Sequence, residues 1–172
     1  MILFTDTKGL RLSLKTSAKK KIKAIIGASI RPQYFQDLKK IADQINVPFF
    51  IQPKPNNNEY LKFKKNLKKL NPNLFFINSY SMILREDLLK IPQIGTYNIH
   101  PAFLPKNRGS NPIQWSIINQ DKFTGVTLHE VDKGIDSGPI IDKKKVRIYF
   151  NDTWISISEK IDKYIIELIQ NN

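Results

Sequence analysis

The residues best able to do chemistry crowd into the segment from Gly95 to Ile141. Gly95 to His100 alternates as a strand does, so Asn98 and His100, two apart, point to the same side. Pro101 and Pro105 cannot extend a hydrogen-bonded ladder, which puts this pair where a strand leaves its sheet. In open α/β sheets ligands bind beyond the carboxyl ends of the strands, so an amide donor and an imidazole would face that crevice together. Further on, Asp132, Gly134, Asp136 and Gly138 alternate carboxylate and glycine, a pattern that lets backbone turn tightly or approach a ligand. A carboxylate beside an imidazole raises its basicity and fixes its orientation, while an amide can donate to a developing oxyanion. The combination suits acyl transfer. Singly, His100 reads as a satisfied strand-end histidine and Asp136 as a turn former, and only the constellation argues for chemistry.

The elements that must position these residues follow from apolar patterning. Ile2 to Phe4, Ile22 to Ile26, Phe49 to Ile51 and Leu74 to Ile77 are short, wholly apolar runs, as strands buried on both faces should be. Helical spacing separates them. Pro32 suits a first helical turn, after which Leu38, Ile41, Ala42 and Ile45 share a face. A second, very basic helix carries Leu61, Lys64, Lys65, Lys68 and Lys69. Asp152 can cap a last helix, where Trp154, Ile157, Ile161, Ile165 and Leu168 recur at three and four. The pattern predicts a Rossmann-like, doubly wound α/β fold with a mostly parallel sheet and helices on both faces. Length suits a single domain over residues 1–172, with no linker or C-terminal accessory domain. Val126 to Val131 reads as a strand with His129 on the Thr127 and Val131 side, a partly buried histidine first and a substrate contact second, and not a catalytic residue. Trp115 reads as a core anchor before a stacking platform.

Four motifs in one order resemble the formyltransferases that use N10-formyltetrahydrofolate. They are Asn98-Ile99-His100 at a strand end, the loop Pro101 to Gly109, Thr124-Gly125-Val126-Thr127, and Asp132 to Gly138 as D-x-G-x-D-x-G. The likeness is strongest from Leu74 to Ile141, while the first half shares only the strand and helix rhythm. It implies Asn98, His100 and Asp136 as the catalytic set, with N10-formyltetrahydrofolate as co-substrate and no metal. The pterin is expected beside Tyr80, Ser81, Met82, Ile83 and Leu84, and against Val131, Asp132, Gly134 and Ile135. From the residues alone, Tyr80, Met82 and Leu84 read as core before they read as cofactor contacts. Among acceptors the likeness favours a nucleotide-linked amino sugar, since HPAFLP and GSNPIQW resemble that branch. The Thr5 to Gly9 turn lacks a glycine-rich phosphate loop, which lowers the glycinamide ribonucleotide branch, and the absent C-terminal barrel lowers the methionyl-tRNA branch. Ala102 stands where the family commonly has serine. Lys8, Lys106 and Arg108, in loops expected near strand ends, are the candidates to hold an acceptor's phosphates. Hydrolysis of the formyl carrier, and RNA binding on a retired enzyme fold, are the rival readings.

Composition narrows the partners. No cysteine is present, which removes thiolate nucleophiles, disulfides and cysteine zinc sites, and two histidines make a poor metal cage. No apolar run reaches the roughly 20 residues of a membrane span, and Asp6 interrupts the apolar start, so a cytoplasmic protein is expected. The net charge of +13 is lopsided: residues 1–90 hold 18 Lys/Arg against 6 Asp/Glu, and residues 91–172 hold 10 against 9. A solvated helical surface explains this most simply, with nucleic acid as the lesser alternative. A homodimer is compatible with the sequence.

Overall fold

The apolar runs become strands because they can be buried on both faces. β1 (Ile2–Thr5) and β2 (Ala24–Ala28) are buried throughout. β3 (Phe49–Gln52) runs parallel to β2, and β4 (Leu74–Asn78) runs parallel to β1. The order is therefore β3-β2-β1-β4, followed by the start of β5 (Gly95–His100). The computed structural model describes all residues from Met1 to Asn172, grouped into two compact units, Met1–Tyr97 and Asn98–Asn172.

In the first unit the core gathers Ile2, Phe4, Ala24, Ile26, Phe75 and Leu88 with residues of a flanking helix. The stretch read as a turn at Thr5 to Gly9 instead opens α1 (Thr7–Leu14), whose cap is Asp6, with its carboxylate accepting from the Gly9 amide at 2.8 Å. Gly9 is required because a methyl there would collide with the Asn78 carbonyl oxygen. The second strand starts at Ala24 rather than Ile22, since Ile22 closes a 3-10 turn over Ser17–Lys21. α2 (Phe35–Gln44) follows a 3-10 turn holding Pro32 and buries Leu38 and Ala42, leaving Ile41 and Ile45 half-buried. α3 (Asn58–Lys69) buries Tyr60, Phe63 and Leu67 and exposes Lys62, Lys65, Lys68 and Lys69. The short α4 (Glu86–Leu89) adds Leu88 to the core and Asp87 to Lys64 at 2.9 Å.

The second unit continues from the end of β5 through α5 (Pro112–Ile118) to an antiparallel pair, β6 (Phe123–Glu130) and β7 (Ile140–Arg147). α6 (Trp154–Asn171) packs on this pair with Ile157, Ile161, Ile165 and Leu168 buried. Two expectations are corrected here. Thr153, not Asp152, caps α6 through reciprocal bonds with Ser156, while Asp152 binds Lys160 and the Tyr149 amide from one residue further out. Trp115 is 50% exposed and so anchors no core, because its position on the short α5 faces outward. The strand pattern bears out the mostly parallel, Rossmann-like α/β class, with β6 and β7 antiparallel to each other.

Candidate active site

The loop after His100 is fastened to β6 before it can serve a site. Thr127 Oγ1 donates to the Ala102 carbonyl at 2.7 Å and accepts from the Leu104 amide at 3.1 Å. Asn107 adopts a left-handed backbone conformation, φ 55°, and its amide donates to Ser116 at 2.8 Å and Asp121 at 3.1 Å. Those anchors aim the Asn107 carbonyl at His100 Nε2, 3.0 Å away. Ala102 is fully buried beneath this loop.

The glycine-carboxylate loop brings the second half of the site. Asp132 accepts from the Gly134 amide at 2.9 Å and from Ser137 Oγ at 2.8 Å, closing the loop on itself. Gly138 has no room for a methyl, which would strike the Glu130 carbonyl oxygen. Asp136, at φ 47°, is thereby turned inward. Its Oδ2 accepts from the Gly109 amide at 2.9 Å and lies 3.5 Å from His100 Nδ1. Its Oδ1 accepts from Asn98 Nδ2 at 3.1 Å and lies 3.4 Å from His129 Nε2. One carboxylate thus joins all three residues expected from the sequence and one that was not.

Protonation follows from the partners. His129 Nδ1 is 2.6 Å from the Glu130 carbonyl and donates to it, and its Nε2 lies 3.2 Å from Asn98 Nδ2 and 3.4 Å from Asp136 Oδ1. His100 Nε2 likewise donates to Asn107, leaving Nδ1 toward Asp136. Burial pushes the His100 pKa down, with the Asp136 charge and the Asn107 carbonyl pulling the other way. For Asp136, burial is the largest single influence and raises the pKa, but the His129 hydrogen bond, the His100 charge and the Gly109 amide together outweigh it and hold it at about 2. The site at neutral pH is a charged carboxylate beside a neutral imidazole whose free nitrogen can take a proton and share it with that carboxylate. Both Asn98 amide hydrogens are engaged, so donation to an oxyanion requires one to leave His129 or Asp136.

The remaining expected residues are distributed unevenly. Tyr80 and Leu84 turn into the first unit's core: the Tyr80 hydroxyl donates to Gln52 at 2.9 Å, its ring packs edge-on against Phe4, and Leu84 is 5% exposed. Ser81 and Ile83 remain at the surface, and Met82 is half-buried beside Ser29. Asp132, Gly134 and Ile135 are exposed, and Val131 is half-buried. Lys106 pairs with Asp121 at 3.2 Å, Arg108 is exposed in the loop before Gly109, and Lys8 is exposed in the first turn of α1. Sequence reasoning missed three contributors: His129, the Asn107 carbonyl and the Gly109 amide. Two of these are backbone groups that residue type does not reveal, and His129 was placed on the correct strand face but given no partner.

The model of the family described as formyl transferase matches residues 4–169. The chain belongs to the formyl transferase family. A methionyl-tRNA formyltransferase of Thermodesulfovibrio yellowstonii is 41% identical over 133 residues, which cover 77% of this chain and 42% of that protein. The bifunctional polymyxin resistance protein ArnA of Wigglesworthia glossinidia brevipalpis is 42% identical over 128 residues, covering 74% of this chain and 19% of that one. The chain therefore spans less than half of either relative. The solved phosphoribosylglycinamide formyltransferase of Bacillus halodurans superposes with a TM-score of 0.83 at 25% identity, over 97% of this chain and 89% of that one. No helix of this formyl transferase family member is long and apolar enough to cross a membrane, and no group of three or more acidic or histidine side chains is arranged to hold a metal ion.

Proposed function

We propose that this family member transfers a formyl group from N10-formyltetrahydrofolate to a primary amine. The observation that carries this reading is the Asp136-centred cluster, which supplies a poised base and an amide donor on one rigid frame. Within the second unit, exposed Ile135 and the backbone of Asp132 to Gly134 offer apolar and polar contacts for a pterin beside the cluster. When bound, the carrier supplies an activated formyl carbon. His100 Nδ1 takes the proton released by the attacking amine, Asp136 stabilises the resulting imidazolium, and His100 returns that proton to the carrier nitrogen as its bond to the formyl carbon breaks and tetrahydrofolate leaves. Asn98 turns an amide hydrogen from His129 toward the charge developing on the formyl oxygen.

The acceptor is an anionic, phosphate-bearing amine. Methionyl-tRNA is the first candidate, because several relatives carry that activity in their names and one is 41% identical. A nucleotide-linked amino sugar, the acceptor favoured by HPAFLP and GSNPIQW, is the second. The last residue of the chain does not bear on this choice, given the share of its relatives that it spans. Incubation with formyltetrahydrofolate and each acceptor in turn, with mass detection of the added formyl group, tests the reading. Release of formate with every acceptor left unmodified would assign hydrolysis instead.

A further inference from the structure

We propose that one face of the β6–β7 hairpin is a binding ledge for single-stranded RNA. Side chains alternate along β7, so Lys143, Lys145 and Arg147 share a face. The antiparallel register sets Phe123 beside Arg147 and Gly125 beside Lys145 on that same face. Phe103, from the loop after His100, lies over Gly125 and adds a second ring. Cations and rings then interleave. Lys143 Nζ is 4.2 Å from the centre of the Phe103 ring, Lys145 Nζ is 4.0 Å from that of Phe123, and the Arg147 guanidinium is 5.4 Å from that of Tyr149. The opposite face is occupied, since Thr124 bonds Ser116 of α5 and Lys144 pairs with Glu167 of α6. The outer part of this face is open: Phe123 and Tyr149 are 39% and 55% exposed and Lys145 and Arg147 are exposed with no ion pair, while Lys143 also donates to the Leu104 carbonyl and the Tyr149 ring has Lys160 of α6 on its other side.

The chemistry of the ledge selects its occupant. Unpaired cations call for a polyanion, and rings between them call for flat, stackable groups, which is the combination single-stranded nucleic acid presents. The long lysine stem lets an ammonium slide from ring to phosphate as a base stacks in its place. A second copy of the chain would set these cations against their own kind. A lipid surface would need the rings inserted below the headgroups, but each ring lies beside a cation at the same depth, so insertion would bury charge. Further along the same face of β6, Thr127 is buried beneath the Ala102 and Leu104 backbone and His129 follows it, so on the reading proposed above RNA held here lies along a strand of the formylation site.

Fluorescence anisotropy of a labelled oligouridine of about 12 nucleotides, a length within the footprint of single-strand binders, tests this on the full chain. The probe carries no acceptor amine, so its result is separate from that of the formylation assay. Binding is expected to weaken from about 50 to about 200 mM salt as counterions return to the phosphates. Replacing Phe123→Ala together with Tyr149→Ala should cost at least about tenfold in affinity. Phe123→Leu with Tyr149→Leu keeps apolar packing without an aromatic face and should weaken binding similarly while melting like the parent. Lys145→Glu with Arg147→Glu should abolish binding, whereas Lys65→Glu with Lys69→Glu, which removes equal charge from α3, should change it little. No binding, an equal loss from both charge variants, or full affinity in both ring variants would overturn the ledge. So would association with phosphatidylserine vesicles or self-association in place of RNA binding.

Discussion

Replacing Asp136 by asparagine removes one charge and little volume, which makes it a direct probe of the cluster. The carboxylate is held at about 2, well below the ordinary value of 3.8, and its side chain is only 15% exposed. That depression corresponds to about 2 kcal/mol of native-state stabilisation once the His100 imidazole is charged, and to less at pH 7, where it is neutral. Because the folded pKa lies below the unfolded one, the contribution is present above the unfolded value near 4 and disappears as pH falls through the folded value. Asp136→Asn should therefore lower the unfolding free energy by up to about 2 kcal/mol as pH falls from 7 toward 4, and the carboxylate's share of the gap should be mostly lost near pH 2. An introduced amide that faces Asn98 donor to donor adds the same cost at every pH, so the change of the gap with pH is what the test reads. His100 gaining a proton on the way down only adds an ion pair to the parent protein, so the gap does not narrow early. Urea unfolding of both proteins at pH 7, 5, 3 and about 2, followed by circular dichroism, measures it. A gap that closes between pH 7 and 5, or one undiminished near pH 2, would refute the reasoning.

Turnover should fall at least about 100-fold in His100→Ala and in Asp136→Asn, the scale of a lost base or oxyanion group; steady-state formylation assays check this, and near-parental rates in either would remove the proposed roles. A non-reactive folate analogue should raise the melting temperature in proportion to the logarithm of its concentration above Kd, since it binds only the folded chain; an unshifted thermal scan with blank calorimetry would count against a folate enzyme. Arg108→Glu should raise KM for the acceptor and leave kcat and the folate KM nearly unchanged, the signature of lost ground-state binding; a fall in kcat with constant KM would place Arg108 elsewhere in the mechanism.

Much of the frame was legible because it depends on local pattern. Runs such as Ile2 to Phe4 and Leu74 to Ile77 are apolar enough to declare buried parallel strands, and the face shared by Ile157, Ile161, Ile165 and Leu168 declares α6. Where local pattern failed, a tertiary contact had overridden it. α1 begins in a stretch of turn-forming residues because Gly9 must pass close to Asn78. β7 carries Lys143, Lys144 and Lys145 in succession, with no apolar alternation, and is a strand because β6 offers it a ladder.

The candidate site divides in the same way. Asn98, His100 and Asp136 could be named from the sequence, because a strand-end pair and a carboxylate-glycine loop are patterns of residue type and spacing. Their geometry could not. Which nitrogen of His100 faces Asp136 depends on the Asn107 carbonyl, and that carbonyl is aimed by Ser116 and Asp121, on α5 and just beyond it. His129 enters the cluster because the pairing of strands sets it beside Asn98, a proximity between residues 31 apart in the chain. Residue chemistry is a local property and is written in the sequence; hydrogen-bond partnership and the resulting pKa are properties of distance, which only the folded chain decides.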